Sequence, residues 1–276
     1  MPEKVKAVRY AQSRGIPLRR ACNLCCVSKS RVHYEPLQPA KDAILVKAMT
    51  EVSREHTVWG YRLIHGWLRP RIPGASLFRV RRLWKLHGYA RLGKKKRRKL
   101  RTGKRLNPLP VGPNAIWCMD FVEDRLVNGR KFYALLVKDE ATAFALDVAV
   151  APSFKGKNVE ARLNTLVEEY GAPGFIRCDN GGQFIAFVVQ RWAEQKGIKM
   201  AHIDPGKPWQ NGSAESFVGT YRKEVLDAEL FGSLAEADWL SRRWQKMYNQ
   251  ERPHSRLGYN PPATAYPRKA QAEVSF

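Results

Sequence analysis

Apolar residues recur at helical spacing through residue 90 and gather in short unbroken runs from residue 114 onward. That change of period predicts an all-α N-terminal region followed by an α/β domain. Val5, Val8 and Ala11 share one helical face, and Leu18, Ala21, Cys22 and Cys25 share another. The stretch LRRACNLCCVSKSRVHY has the form of a helix-turn-helix, with Ser28 placed to cap the second helix. A second helical unit begins with an amphipathic face of Ile44, Leu45, Ala48, Met49 and Val52. WGYRLIHGWL and LFRVRRLWKLHGYA follow, the first closed by Pro70 and Pro73, the second by Gly88. Arg79, Arg81, Arg82 and Lys85 line the polar side of the last of these helices.

Beyond residue 114, AIWCMDF, KFYALLVKD and AFALDVAV read as three consecutive strands bounded by turn signals such as Asn128-Gly129. Helix and strand then alternate. Residues 157–170 are helical, GFIRCD is a fourth strand, FIAFVVQRWAEQKG a helix, KMAHID a fifth strand and residues 212–226 a further helix. A last helix over residues 234–248 leads into a Pro-rich tail. Three strands in succession, then two that alternate with helices, predict a mixed five-stranded sheet with helices packed on it.

Charge sharpens this division. The 276 residues carry a net +24. Residues 1–110 hold 28 Lys and Arg against 5 Asp and Glu, a net of +23, which leaves only +1 for the remainder. Between Lys94 and Arg105 stand nine basic residues, Lys95, Lys96, Arg97 and Arg98 among them, and no acid. A segregated excess of this kind fits a polyanion-binding arm joined to a near-neutral domain, and nucleic acid is the polyanion it best suits. No stretch approaches the ~20 uninterrupted apolar residues of a membrane span. The charged N-terminus lacks the apolar segment of a secretion signal, and five cysteines, an odd number, argue against a disulfide framework. A reducing compartment is expected, cytoplasmic and nucleoid-associated.

Two predicted strands finish in aspartate: IWCMD at Asp120 and FIRCD at Asp179. Carboxylates at the edges of buried strands are costly unless paired or metal-bound, and two on neighbouring strands repel. Glu215 follows Asp179 with 35 residues between, in the first turns of a helix opened by the turn-rich PGKPWQNGS. Three carboxylates so placed could hold two Mg²⁺ (or Mn²⁺) ~4 Å apart, the arrangement that serves in-line attack on a phosphodiester. Taken singly each acid has a plainer reading, as a turn residue or a cap. The Asn-Gly-Gly turn in DNGGQF would let backbone approach a phosphate closely. Trp209, Gln210 and Asn211 suit base stacking or phosphate contact, against a plainer role in loop packing.

The order Asp120, Asp179, 35 residues, Glu215 resembles the DDE catalytic core of retroviral-type integrases and transposases. WGYRLIHGWL, WCMDFVEDRLVNGRKF, CDNGGQF, HIDPGKPWQNGSAESFVGTYRKEVL and YNQERPHSRLGYNPPATAY resemble more narrowly the second-reading-frame product of the insertion-sequence-three family. The likeness runs over nearly the whole chain. It implies a ribonuclease-H-like core, a divalent metal at Asp120, Asp179 and Glu215, and cutting and joining of the element's own DNA ends. It also implies a basic residue seven positions after the glutamate, a place that Arg222 fills, on the same helical face. Double-stranded DNA, further copies of the chain and the product of a preceding reading frame are the partners it implies, and no membrane. One departure stands out: Asp139-Glu140-Ala141-Thr142-Ala143 lacks the arginine that the family carries shortly after this aspartate.

The expected organisation is a helix-turn-helix-like segment over 1–38, a second helical DNA-binding unit over 39–93, a basic linker over 94–113, a catalytic core over 114–232, and a C-terminal helix and tail over 233–276. Arg31, Arg79, Arg82, the linker cations, Lys207 and Arg222 are the candidate DNA contacts. Two other functions share these residues: a DNA-binding regulator without catalysis, and a junction nuclease with the same core. Cys22-x-x-Cys25 has no second Cys/His pair at zinc spacing and reads as a pair of helix cysteines. His202 reads equally as a packed strand residue or one that touches substrate, and His254 as a residue that holds the tail against the core. Asp124, Asp139, Asp147 and Asp204 compete with the trio for metal, Asp139 most seriously because it too ends a strand.

Overall fold

A computed structural model describes residues 2–33, 37–89, 109–179, 181–182, 186–202 and 211–266. The basic run and Lys207, Trp209 and Gln210 lie outside the described residues. The chain divides into two compact units, Met1–Ala48 and Met49–Phe276.

In the first unit, helices α1 (Pro2–Ser13), α2 (Leu18–Leu24) and α3 (Lys29–His33) close on a small core of Val8, Ala21, Cys22 and Val32. The turn between α2 and α3 passes through Cys26 at φ 52°, and the Ser28 hydroxyl accepts the Arg31 amide at 3.3 Å, the cap its position suggests. Arg31 is exposed on α3. Helix α4 (Leu37–Glu55) runs across the boundary between the units.

The second unit holds α5 (Tyr61–Leu68) and α6 (Leu77–Leu86), then strands β1 (Ile116–Arg125), β2 (Lys131–Asp139) and β3 (Ala145–Ala151). Helix α7 (Gly156–Tyr170), β4 (Phe175–Cys178), α8 (Phe187–Gln195), β5 (Lys199–His202), α9 (Gly212–Tyr221) and α10 (Leu234–Gln250) complete it. The five strands lie in the order β3-β2-β1-β4-β5; β1, β2 and β3 are antiparallel, while β4 and β5 run parallel to β1. This is the ribonuclease-H-like mixed sheet that the strand pattern and the resemblance led one to expect. β1 runs four residues beyond its apolar stretch because it continues into the hairpin at Asn128-Gly129, where Gly129 takes φ 81°.

Alternation along β1 sorts its side chains between two cores. Trp117 and Met119 face α7 and α8, joining Val159, Leu163, Leu166, Val189 and Trp192. Val122 faces the other way and joins Phe217, Tyr221, Trp244 and Tyr248 of α9 and α10. By the same alternation Cys118 and Asp120 stand on the α9 side. The outer edge of β3 is covered by side-chain amides. Asn249 accepts from the Ala145 amide at 2.8 Å and donates to its carbonyl at 2.9 Å, and Gln245 donates to Ala145 and Leu146 carbonyls. Two amide side chains thus take the place of a sixth strand there.

Helix α5 is held by the C-terminal segment. A Cβ at Gly66 would lie 2.8 Å from the Pro253 Cβ and 2.9 Å from the Tyr259 Cβ, so the glycine is what lets the RPHSRLGY segment lie against the helix. His254 bridges to Asn260 and meets the Tyr248 ring edge-on at 4.9 Å, which anchors the tail as its sequence suggested. Among the described residues no helix is long and apolar enough to cross a membrane.

Candidate active site

Asp120 lies within β1, opposite Leu136 on β2. On its other side β4 pairs in parallel, with Cys118 level with Arg177. Asp179 is the residue just past the end of β4, two positions after Arg177 as Asp120 is two after Cys118. Asp120 stands on the side of the sheet on which α9 packs, and Glu215 is in the first turn of α9. Lys138 fixes that turn: it is buried on β2 beside Cys118, and its Nζ donates to the Ser213 carbonyl at 2.9 Å.

Electrostatics reports the same meeting. The Asp120 carboxyl is pushed up from 3.8 to about 6, first by burial and then by the negative fields of Asp179 and Glu215, against the lowering effect of the Phe121 amide it accepts at 2.8 Å. The Cys178 thiol is pushed up to about 12 by burial and by Asp179 and Asp120. Asp179 closes a turn by accepting the Gly181 amide at 2.9 Å. Asp120 and Asp179 are half-buried and Glu215 is exposed. Three hard oxygen donors, two of which raise the proton affinity of the Asp120 carboxyl, suit Mg²⁺ or Mn²⁺ by donor chemistry. Among the described residues no three acids, histidines or cysteines gather closely enough to hold an ion as they are.

Of the competitors, Asp204 lies outside the described residues, and Asp139, Asp147 and Asp124 each accept hydrogen bonds from the protein. Asp139 is fully buried and accepts the Asn114 amide at 2.8 Å, the Thr142 amide at 2.8 Å and the Thr142 hydroxyl at 2.6 Å. It closes the β2–β3 turn, in which Ala143 takes φ 61°. Asp147 is held by both Arg162 Nε at 2.8 Å and Nη2 at 2.6 Å, and Asp124 accepts its neighbour's amide at 2.8 Å. His202 is a packed strand residue: its Nε2 meets the Gln190 amide nitrogen at 2.9 Å and its Nδ1 lies 3.5 Å from the Asp179 carbonyl. It can steady the chain that carries Asp179.

Arg222 is exposed at the end of α9, where the helix widens into one π-turn over Arg222–Leu226, and its Nη2 donates to the Glu123 carbonyl of β1 at 3.3 Å. Asn211, at the head of α9, is buried, and among the described residues its Oδ1 has no hydrogen-bond partner. On α6 the Arg79 guanidinium donates to the Gly74 carbonyl at 3.3 Å, whereas Phe78, Arg81, Arg82 and Lys85 are exposed. They recur at the spacing of one helical face. Sequence reasoning missed Lys138, whose only signal was a lysine inside an apolar strand. It also missed Glu140, buried and paired with Arg177 at 2.7 Å.

Two stretches of the chain, residues 110–208 and 196–262, match the integrase core domain family. An IS407 insertion-element protein of Burkholderia multivorans, 31.7 kDa and described as uncharacterized, is 34% identical over 95% of this chain and 96% of its own. The chain belongs to the insertion-sequence transposases with an integrase core. An IS476 insertion-element protein of Xanthomonas euvesicatoria is 36% identical over 89% of this chain and 71% of its own. The transposase for insertion sequence element IS629 of Shigella sonnei is 26% identical over 82% and 79%. Among solved structures, the HTLV-2 integrase catalytic core domain in complex with magnesium is similar with a TM-score of 0.45 at 19% identity, over 57% of this chain and 99% of that one.

Proposed function

We propose that this transposase cuts and joins DNA at the ends of its own insertion element, with Asp120, Asp179 and Glu215 as its metal-binding carboxylates. One observation carries the reading: α9, which bears Glu215 in its first turn, packs on β1, which bears Asp120, although 94 residues separate the two acids along the chain. Two Mg²⁺ bound there would activate water or a 3′-hydroxyl and stabilise the leaving oxygen. The chain's own groups do the rest. Lys138 holds the first turn of α9 and with it Glu215. Arg222, seven residues beyond Glu215, offers a cation to a DNA phosphate, and Asn211, Lys207, Trp209 and Gln210 contact the strand near the cleaved bond.

In this reading residues 1–38 and 39–93 grip DNA, the latter through the α6 face that carries Arg82 beside Arg79, and the former through Arg31. The basic run of 94–113, with Lys95, Lys96, Arg97 and Arg98, adds affinity for phosphate, independent of sequence and steeply dependent on salt. Residues 114–232 cut and 233–276 brace them. The transposase works on double-stranded DNA as an assembly of several copies, together with the product of a preceding reading frame. The test is a labelled duplex with the element's terminal sequence, incubated with the full chain and Mg²⁺. Nicked ends and a strand-transfer product are expected, and Glu215→Gln should give neither while it still binds the duplex. Cleavage without transfer would identify a junction nuclease, and binding without cleavage a regulator; either outcome overturns the proposal.

A further inference from the structure

Glu224 stands nine residues after Glu215, in the π-turn that continues the same helix. Its carboxylate is nearly buried and collects donors from three distant segments. The Trp59 indole donates to Oε1 at 3.2 Å, the Trp244 indole to Oε2 at 2.9 Å, and Arg252 Nε reaches Oε1 at 2.9 Å and Oε2 at 3.2 Å. Each of these donors belongs to a different part of the second unit. Trp59 is buried, stacks on His56 at a ring separation of 3.8 Å, and stands two residues before α5, the helix that packs with α6. Trp244 is on α10. Arg252 immediately precedes Pro253, which rests on α5 at Gly66. Thus the link from α5 to the helix of Glu215 is made twice at one carboxylate, directly through Trp59 and by way of Arg252 and Pro253.

General stabilisation does not account for this choice of residues. A buried ion pair is often no more stabilising than apolar residues of the same volume, and its best-attested use is to fix register. A π-turn is a rare irregularity in a helix and is frequently found at functional sites. Here it sets Glu224, which an all-α continuation would turn to the face opposite Glu215, where two indoles and a guanidinium can meet it.

We infer that Glu224 is a positioning residue that locks the α5–α6 helices to the helix bearing Glu215, so that DNA held by the first is set in register against the carboxylates. The inference rests on the function proposed above. It predicts that loosening this joint harms the placing of the cut more than the binding of DNA. Trp59→Phe keeps an aromatic ring beside His56 and removes the indole N–H together with part of the ring's volume; Glu224→Gln removes the charge that Arg252 answers.

The test uses the full chain, a 5′-labelled duplex with the element's terminal sequence and Mg²⁺, well below the melting midpoint of each variant. Each single variant should cut at least tenfold more slowly under single-turnover conditions, spread its cuts over neighbouring phosphates, and bind the duplex within twofold of wild type. The double variant should be no slower than Glu224→Gln alone, because both changes break one joint. Should Glu224→Gln fail to fold, Trp59→Phe carries the test by itself. A variant that melts earlier yet cuts at the wild-type rate and position would overturn the inference and leave the proposed function standing. Wild-type protein that cuts nothing under Mg²⁺ would overturn both.

Discussion

Asp120→Asn offers a test that needs no DNA. In the fold the Asp120 carboxyl titrates near 6, well above its ordinary 3.8. The folded state therefore disfavours the ionised form. The penalty is small below about pH 4, grows as pH rises toward 6, and is complete above that. Two pKa units correspond to about 3 kcal/mol. Because the side chain keeps part of its contact with water, about 1–2 kcal/mol is the better expectation. Asparagine removes the charge and can still accept the Phe121 amide. In chelator at pH 7.5 the variant should melt above wild type, by about 2–8 °C for a unit of this size. At pH 4.5 roughly a third of that gain should remain, because the wild-type carboxyl is by then protonated in the fold. Scanning calorimetry at the two pH values measures both figures. A midpoint equal to or below wild type at pH 7.5, or an equal gain at pH 4.5, would contradict the claim that burial, with the fields of Asp179 and Glu215, holds this carboxyl up.

Other substitutions test the frame around the site. Gly66→Ala should gain about 1 kcal/mol of helix propensity and lose about 1–3 kcal/mol to the clash with Pro253 and Tyr259, so its net effect on the denaturation midpoint should be a fall; a rise would show that the tail does not lie on α5. Thr142→Val takes one donor from the buried Asp139 carboxylate and should cost about 1.5–3 kcal/mol in urea unfolding, with no change expected if that turn is soft. His254 is pushed down to about 3 by burial and by Arg252 and Lys138, so folding should lose stability as pH falls below 6.5, at up to ~1.4 kcal/mol per pH unit. His254→Asn should flatten that slope, and an unchanged slope would rule the residue out as its source.

The sheet was legible because each strand is an apolar run between turn signals, and KFYALLVKD coincides with β2 to the residue. The far half of β1 was hidden, since Val122–Arg125 mixes charge with apolar positions as a hairpin exposed on one side does. For the site, strand-end position, spacing and the family resemblance together singled out the three acids. What spacing did not reveal is that Asp139, an equally good acid at a strand end, is consumed by Thr142 and Asn114, for that depends on where two amides and a hydroxyl point. Glu224 was illegible for a similar reason. Its partners Trp59 and Arg252 stand 165 residues before it and 28 after it, and no local period connects them. The π-turn that aims it has no signature in RKEVL.

The central claim is that Asp120, Asp179 and Glu215 close on divalent metal when the transposase engages DNA. Crystals of the full chain bound to its end duplex in Mn²⁺, with data collected at the manganese edge, test it directly. Two anomalous peaks about 4 Å apart, bounded by those three carboxylates, are expected. Peaks on other residues, or none between these acids, would contradict it.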